Sequence, residues 1–121
     1  MQEFTSKIER VIIAGSRHYE DFPRLQEICD AKLKGPLEIV SGGARGADRL
    51  GEVYAQLRGH AIKVFPADWA THGKLAGPLR NAEMVAYADR AIVFWDGRSR
   101  GSRNLIQLCR KAKLPLQVVV I

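Results

Sequence analysis

The chain has 121 residues, 46% of them hydrophobic and 26% charged, which is the composition of one soluble globular domain with room for a real core. Nineteen Lys and Arg against thirteen Asp and Glu leave a net charge of +6, favouring polyanionic partners such as phosphates, nucleotides or nucleic acid. Apolar runs such as Val11–Ala14 and Val118–Ile121 fall far short of the ~20 residues of a membrane span, and no signal peptide opens the chain, so a cytoplasmic protein is expected.

The elements follow in a regular order. Residues 1–9 read as a flexible tail, and a single domain is expected over 10–121. Arg10–Ala14 is a short apolar run stopped by Gly15-Ser16-Arg17, the pattern of a buried strand and a turn. Leu25, Ile28, Cys29 and Leu33 keep helical spacing until Gly35-Pro36. Leu37–Val40 is a second strand, followed by Ser41-Gly42-Gly43-Ala44-Arg45-Gly46-Ala47-Asp48. Leu50, Val53, Tyr54 and Leu57 give a second helical face closed by Gly59, and Ala61–Phe65 is a third strand stopped by Pro66. A longer loop over Pro66–Pro78 leads to a third helix, starting near Gly77-Pro78 and reaching about Tyr87. Arg90–Trp95 is a fourth strand, Asp96–Ser102 a loop of Gly, Ser and Arg, and Leu105, Leu108, Cys109 and Ala112 mark a fourth helix. Leu116–Ile121 closes the chain as a fifth strand.

Strands alternating with helices imply right-handed crossovers and a parallel sheet. The fold class is therefore α/β: one Rossmann-like, three-layer domain around a mainly parallel five-stranded sheet. Cys29 and Cys109 fall on apolar helical stripes and read as buried thiols. His18, His60 and His72 are scattered singly, so neither a metal site nor a cofactor is expected.

In such a sheet, ligands bind outside the carboxyl ends of the strands. Three glycine-bearing loops gather there: Gly15–Arg17, Ser41–Asp48 and Asp96–Ser102. The stretch Gly42–Gly46 follows a strand and opens a helix, where backbone N–H groups and the helix dipole favour a phosphate. It is neither the G-x-G-x-x-G fingerprint nor a Walker A loop, and a turn serving chain geometry alone would look the same. Asp48, just inside that helix, either adds ~0.3–1 kcal/mol of dipole stabilisation or faces a ribose or base. Trp69 and Trp95 lie at loop or strand ends, where each is either core or a stacking platform worth ~1–3 kcal/mol. Lys74, Arg80 and Asn81 cluster at the start of the third helix. Arg17, Arg45, Arg98, Arg100 and Arg103 add charge along the same edge.

Gly15–Arg17, Ser41–Asp48, and Ala67-Asp68-Trp69 with Gly73–Met84 together resemble the SLOG superfamily, in its YspA/YpsA-related branch, over the chain from about Arg10 onward. The resemblance implies a Rossmann-like fold that binds nucleotides, nucleotide-derived signals or nucleic acid. The related Lonely-guy phosphoribohydrolases carry P-G-G-x-G-T-x-x-E; Gly101-Ser102 matches the G-T pair, but Leu105 stands at the glutamate. The resemblance therefore does not carry over that acid-base group, and Asp48, Glu83 and Asp96 are the carboxylates available to replace it. A second relative, the DNA-processing protein DprA, binds single-stranded DNA through similar strand-one and S-G-x-A-x-G-I-D motifs.

The expected function is binding or sensing of a small phosphorylated nucleotide-derived ligand, with nucleotide N-glycosidase activity or single-stranded nucleic-acid binding as alternatives. The expected site comprises Gly15, Ser16, Arg17, Ser41 to Asp48, Trp69, Lys74, Arg80, Asn81, Trp95, Asp96, Gly97, Ser99, Gly101 and Ser102. No membrane partner is expected, and a homodimer is left open by the analogy.

Overall fold

The structure is a computed structural model that describes residues 7–121. Five strands form one all-parallel sheet: β1 (Glu9–Gly15), β2 (Leu37–Ser41), β3 (Ala61–Val64), β4 (Arg90–Trp95) and β5 (Leu116–Val120). The order across the sheet is β3-β2-β1-β4-β5. The helices are α1 (Phe22–Lys32), α2 (Ala47–Arg58), α3 (Trp69–His72), α4 (Ala76–Tyr87) and α5 (Arg100–Lys111). Of the expected tail, Glu9 belongs to strand β1, Lys7 and Ile8 precede it as exposed, irregular backbone, and residues 1–6 lie outside the described residues.

Alternation along the central strands builds the two cores. Val11 and Ile13 of β1, with Ile92 and Phe94 of β4, pack with Leu25 and Cys29 of α1 and Tyr54 of α2. Their neighbours Ile12, Ala14, Ala91 and Val93 face the other way, onto Met84 of α4 and Leu105, Ile106 and Cys109 of α5. Both faces of β1 and β4 are thus covered, which is why these strands read as unbroken apolar runs rather than alternating ones. Burial pushes the thiols of Cys29 and Cys109 up to about 12 and about 11, and neither forms a disulfide. Among the described residues no helix is long and apolar enough to cross a membrane.

Two boundaries depart from expectation. The long loop over Pro66–Pro78 contains α3 and a 3-10 turn at Gly73–Leu75. Asp68 starts α3 by accepting a hydrogen bond from the Thr71 N–H at 3.1 Å, a cap that works without any apolar period. The loop after β4 is shorter than expected, because Ser99 caps α5 and Gly101 and Ser102 already lie in its first turn.

Candidate functional site

From β1 the chain winds outward through β2 to β3, then returns to lay β4 and β5 on the other side of β1. The strand order therefore reverses between β1 and β4, and a crevice must open beyond their carboxyl ends. A cleft of about 870 Å³ lies there. Its floor is Ala14 and Gly15 at the end of β1, with Met84 and Leu105 from the helices on one face.

Most of the expected site residues meet in this cleft. Gly15, Ser16 and Arg17 come from the end of β1; Gly43, Ala44, Arg45 and Asp48 from the glycine loop and α2. Trp69, Lys74, Arg80 and Asn81 form the α3–α4 wall, and Asp96, Ser99, Gly101 and Ser102 the wall after β4. Six cationic side chains line it: Arg17, Arg45, Lys74, Arg80, Arg98 and Arg100.

Ser41, Gly42, Gly46, Ala47, Trp95, Gly97 and Glu83 do not line the cleft. Ser41 is buried; its hydroxyl donates to Glu52 at 2.6 Å and accepts from the Gly43 N–H at 3.0 Å. Gly42 is glycine for closeness: a Cβ there would stand 2.7 Å from both Arg80 Nη1 and Asp48 Oδ2. Gly46 caps α2 at φ 77°, and the Ala47 N–H donates to the Ser16 carbonyl at 3.2 Å. The indole of Trp95 is half-buried and donates to the Ser99 carbonyl at 3.1 Å, which ties it to the loop rather than to the cleft. Gly97 sits in the turn after β4, and Glu83 is exposed on α4.

Asp48 stands in the first turn of α2 and lines the cleft, and it also has a structural task that the sequence did not show. Only 5% exposed, its carboxylate accepts from the N–H of Gly15 at 3.2 Å through one oxygen and of Ala44 at 3.4 Å through the other. It latches the glycine loop to the end of β1. Burial pushes this carboxyl up to about 6, against the lowering pull of the Arg80 guanidinium and of the Gly15 and Ala44 N–H groups. Arg80 completes the latch by donating to the Gly42 carbonyl and, through Nε, to Asn81 at 3.0 Å. Arg80→Ala is therefore expected to move the Asp48 titration midpoint higher still. Carboxyl-carbon NMR of the variant would read it, and an unchanged midpoint would mean that Arg80 has no electrostatic hold on Asp48.

The latch also changes how an anion can be held. The N–H groups of Gly43, Ala44 and Ala47, expected to cradle a phosphate, are committed to Ser41, Asp48 and Ser16. At the start of α5, by contrast, the N–H groups of Arg100 and Gly101 have no intrahelical acceptor, as at any helix start. Side-chain cations and that helix start are thus the groups suited to an anion.

His18, Arg98, Arg100 and Asn104 also line the cleft, outside the expected set. The two arginines were visible as charge on the right edge. Asn104 lies inside a helix and gave no signal; it accepts from Asn81 Nδ2 at 3.0 Å, while the same amide donates to the Gly101 carbonyl at 3.2 Å.

Two comparisons with known proteins bear on this arrangement. The chain is 41% identical to the Gene 61 protein of Mycobacterium phage D29 over 118 aligned residues, covering 90% of this chain and 94% of the phage protein. A family model, YAcAr, matches residues 9–72, which hold β1, the glycine loop, α2 and the latch carboxylate. With the expected fold and these two matches in hand, the chain belongs to the YspA, cpYpsA-related SLOG family.

Proposed function

We propose that the cleft binds a phosphate-bearing nucleotide or nucleotide-derived ligand. One observation carries this reading: six cations converge on a single crevice at the switch point of a parallel sheet, and five of them stand outside the latch that joins Arg80 and Asp48, which leaves Asp96 as the one carboxylate of the lining outside it. Such a surplus of positive charge in a concave site raises the local concentration of anions. Membership of a SLOG family supports the nucleotide-related class of ligand. Trp69 supplies a π-face for a base: it lines the cleft with 60% of its surface exposed, an arrangement that packing alone does not call for.

A thermal-melt panel of nucleoside mono-, di- and triphosphates, NAD, ADP-ribose, cyclic nucleotides and a short single-stranded oligonucleotide tests the reading. A ligand at a hundred times its dissociation constant adds ~2.7 kcal/mol, several degrees for a domain of this size. A shift with the oligonucleotide alone would move the protein to the nucleic-acid binders, and release of free base from a monophosphate would make it a hydrolase. No shift at all would sink the proposal.

Two variants locate the ligand within the cleft. Trp69→Ala is expected to leave the unliganded melting point unchanged and to weaken binding by ~1–3 kcal/mol, about 5- to 150-fold, if a base stacks there. Gly101→Ala tests the phosphate side. A Cβ at Gly101 meets nothing within 4 Å, and the position is in the first turn of α5, so the fold itself tolerates alanine. Loss of affinity without loss of stability in Gly101→Ala would put the phosphate against the backbone at that helix start.

A further inference from the structure

An ionised carboxylate stands in the cationic cleft, and anion binding alone gives it no task. Asp96 follows the last residue of β4, at the switch point. Its Oδ1 accepts from the N–H groups of Arg98 and Ser99, both at 2.8 Å, and its own N–H donates to the hydroxyl of buried Ser16 at 3.1 Å. Two bonds therefore aim the side chain and a third fixes its backbone, although the residue is exposed on the cleft wall. The Ser99 and Arg98 N–H groups hold its carboxyl below the ordinary carboxylate range, so it is charged throughout neutral pH.

Neither the turn nor the surrounding charge explains the second oxygen. The turn needs only Oδ1, and an asparagine would supply that equally well. Arginines at 17, 98 and 100 line the same cleft, yet Asp96 forms no salt bridge among the described residues. Its negative charge opposes any phosphate brought in by those arginines. A site built for a bare polyanion, or for a nucleic-acid backbone, is weakened by such a group. The conflict disappears when the ligand presents hydrogen-bond donors close to its phosphate. In a nucleotide those donors are the sugar hydroxyls, since the sugar bears the phosphate directly and the base amino groups lie further out.

We propose that Asp96 accepts hydrogen bonds from the 2′,3′-hydroxyls of a ribose, so that the cleft selects ribonucleotides over their deoxy counterparts. This rests on the nucleotide reading above and adds the sugar to it. The experiment compares wild type with Asp96→Asn, which keeps the turn acceptor and removes the charge. The probes are the four common ribonucleoside diphosphates, their 2′,3′-dideoxy counterparts and inorganic tripolyphosphate, with binding followed by calorimetry.

Wild type is expected to bind a ribonucleotide at least tenfold more tightly than its dideoxy form. In Asp96→Asn that ratio falls toward one, while tripolyphosphate binds several-fold more tightly than to wild type. Equal binding of ribo and dideoxy forms by wild type, or an unchanged ratio in the variant, overturns the sugar assignment and leaves the nucleotide reading standing. Tripolyphosphate binding without any nucleotide binding overturns both. If Asp96→Asn fails to fold, the comparison of ribo and dideoxy forms on wild type still decides.

Discussion

Replacing Gly15 with alanine is expected to destabilise the domain by ~3–5 kcal/mol, a large part of the ~5–15 kcal/mol that a domain of this size has. Gly15 closes β1 beside Phe94 of β4, and a Cβ there would lie 2.1 Å from the Phe94 carbonyl oxygen and 2.8 Å from its carbon. Backbone in a hydrogen-bonded sheet cannot step aside as a flexible side chain can, so the strands must part; overpacking of this kind costs ~1–3 kcal/mol. The φ of +153° adds conformational strain of ~1–3 kcal/mol for a residue with a side chain. Gly35 and Gly101 separate the two contributions. Gly35 has φ +79° but open space around it, so Gly35→Ala carries strain alone, ~1–2 kcal/mol. Gly101 has neither constraint, and Gly101→Ala is neutral or stabilising by up to ~1 kcal/mol. Urea unfolding of the three variants checks the ranking. If Gly15→Ala is as stable as Gly35→Ala, the close approach of β1 and β4 does not set the end of β1.

The same strand end shows how far the sequence could be read. Apolar runs marked all five strands, most clearly β1 and β4, because strands buried on both faces carry their signal in composition. The glycine-bearing loops pointed to one sheet edge, because strand direction follows once the crossovers are right-handed. What stayed hidden depends on partners remote in sequence. Asp48 offered a dipole role or a ligand role, and its latch to Gly15, 33 residues away, could not be seen. The glycine loop looked free to hold a phosphate, although three of its N–H groups are committed within the protein. Trp69 and Trp95 were equivalent at the ends of elements; only packing sends one into the cleft and ties the other to Ser99. Helix α3 is four residues long, too short for a 3.6-residue period to register.

The latch makes a second large effect, on the response of stability to pH. Asp48 titrates at about 6 in the folded chain against 3.8 for the unperturbed group, so between these values the folded state binds more protons than the unfolded state. Stability linked to the protonated carboxyl is thus fully present below about pH 4 and is lost as pH rises through about 6. A difference of about two units corresponds to about 3 kcal/mol. Asp30 works in the opposite sense and in another window. Hydrogen bonds from Arg58 and Tyr54 hold it down to about 2, so its contribution is present above about pH 4 and is lost as pH falls toward 2. The domain is therefore expected to be most stable near pH 4 and to reach a lower plateau above pH 6. Urea unfolding at pH 3, 4, 5, 6 and 7 measures this, with Asp48→Asn as the control. The amide has one oxygen for two N–H donors, so that variant is expected to lose one latch bond at every pH and to show no step between pH 4 and 6. A wild-type stability that rises across that interval would show that the Asp48 carboxylate is stabilised, rather than strained, by its burial. Because the latch joins the glycine loop to the cleft floor, ligand affinity is expected to change across the same interval in wild type and to lose that change in Asp48→Asn.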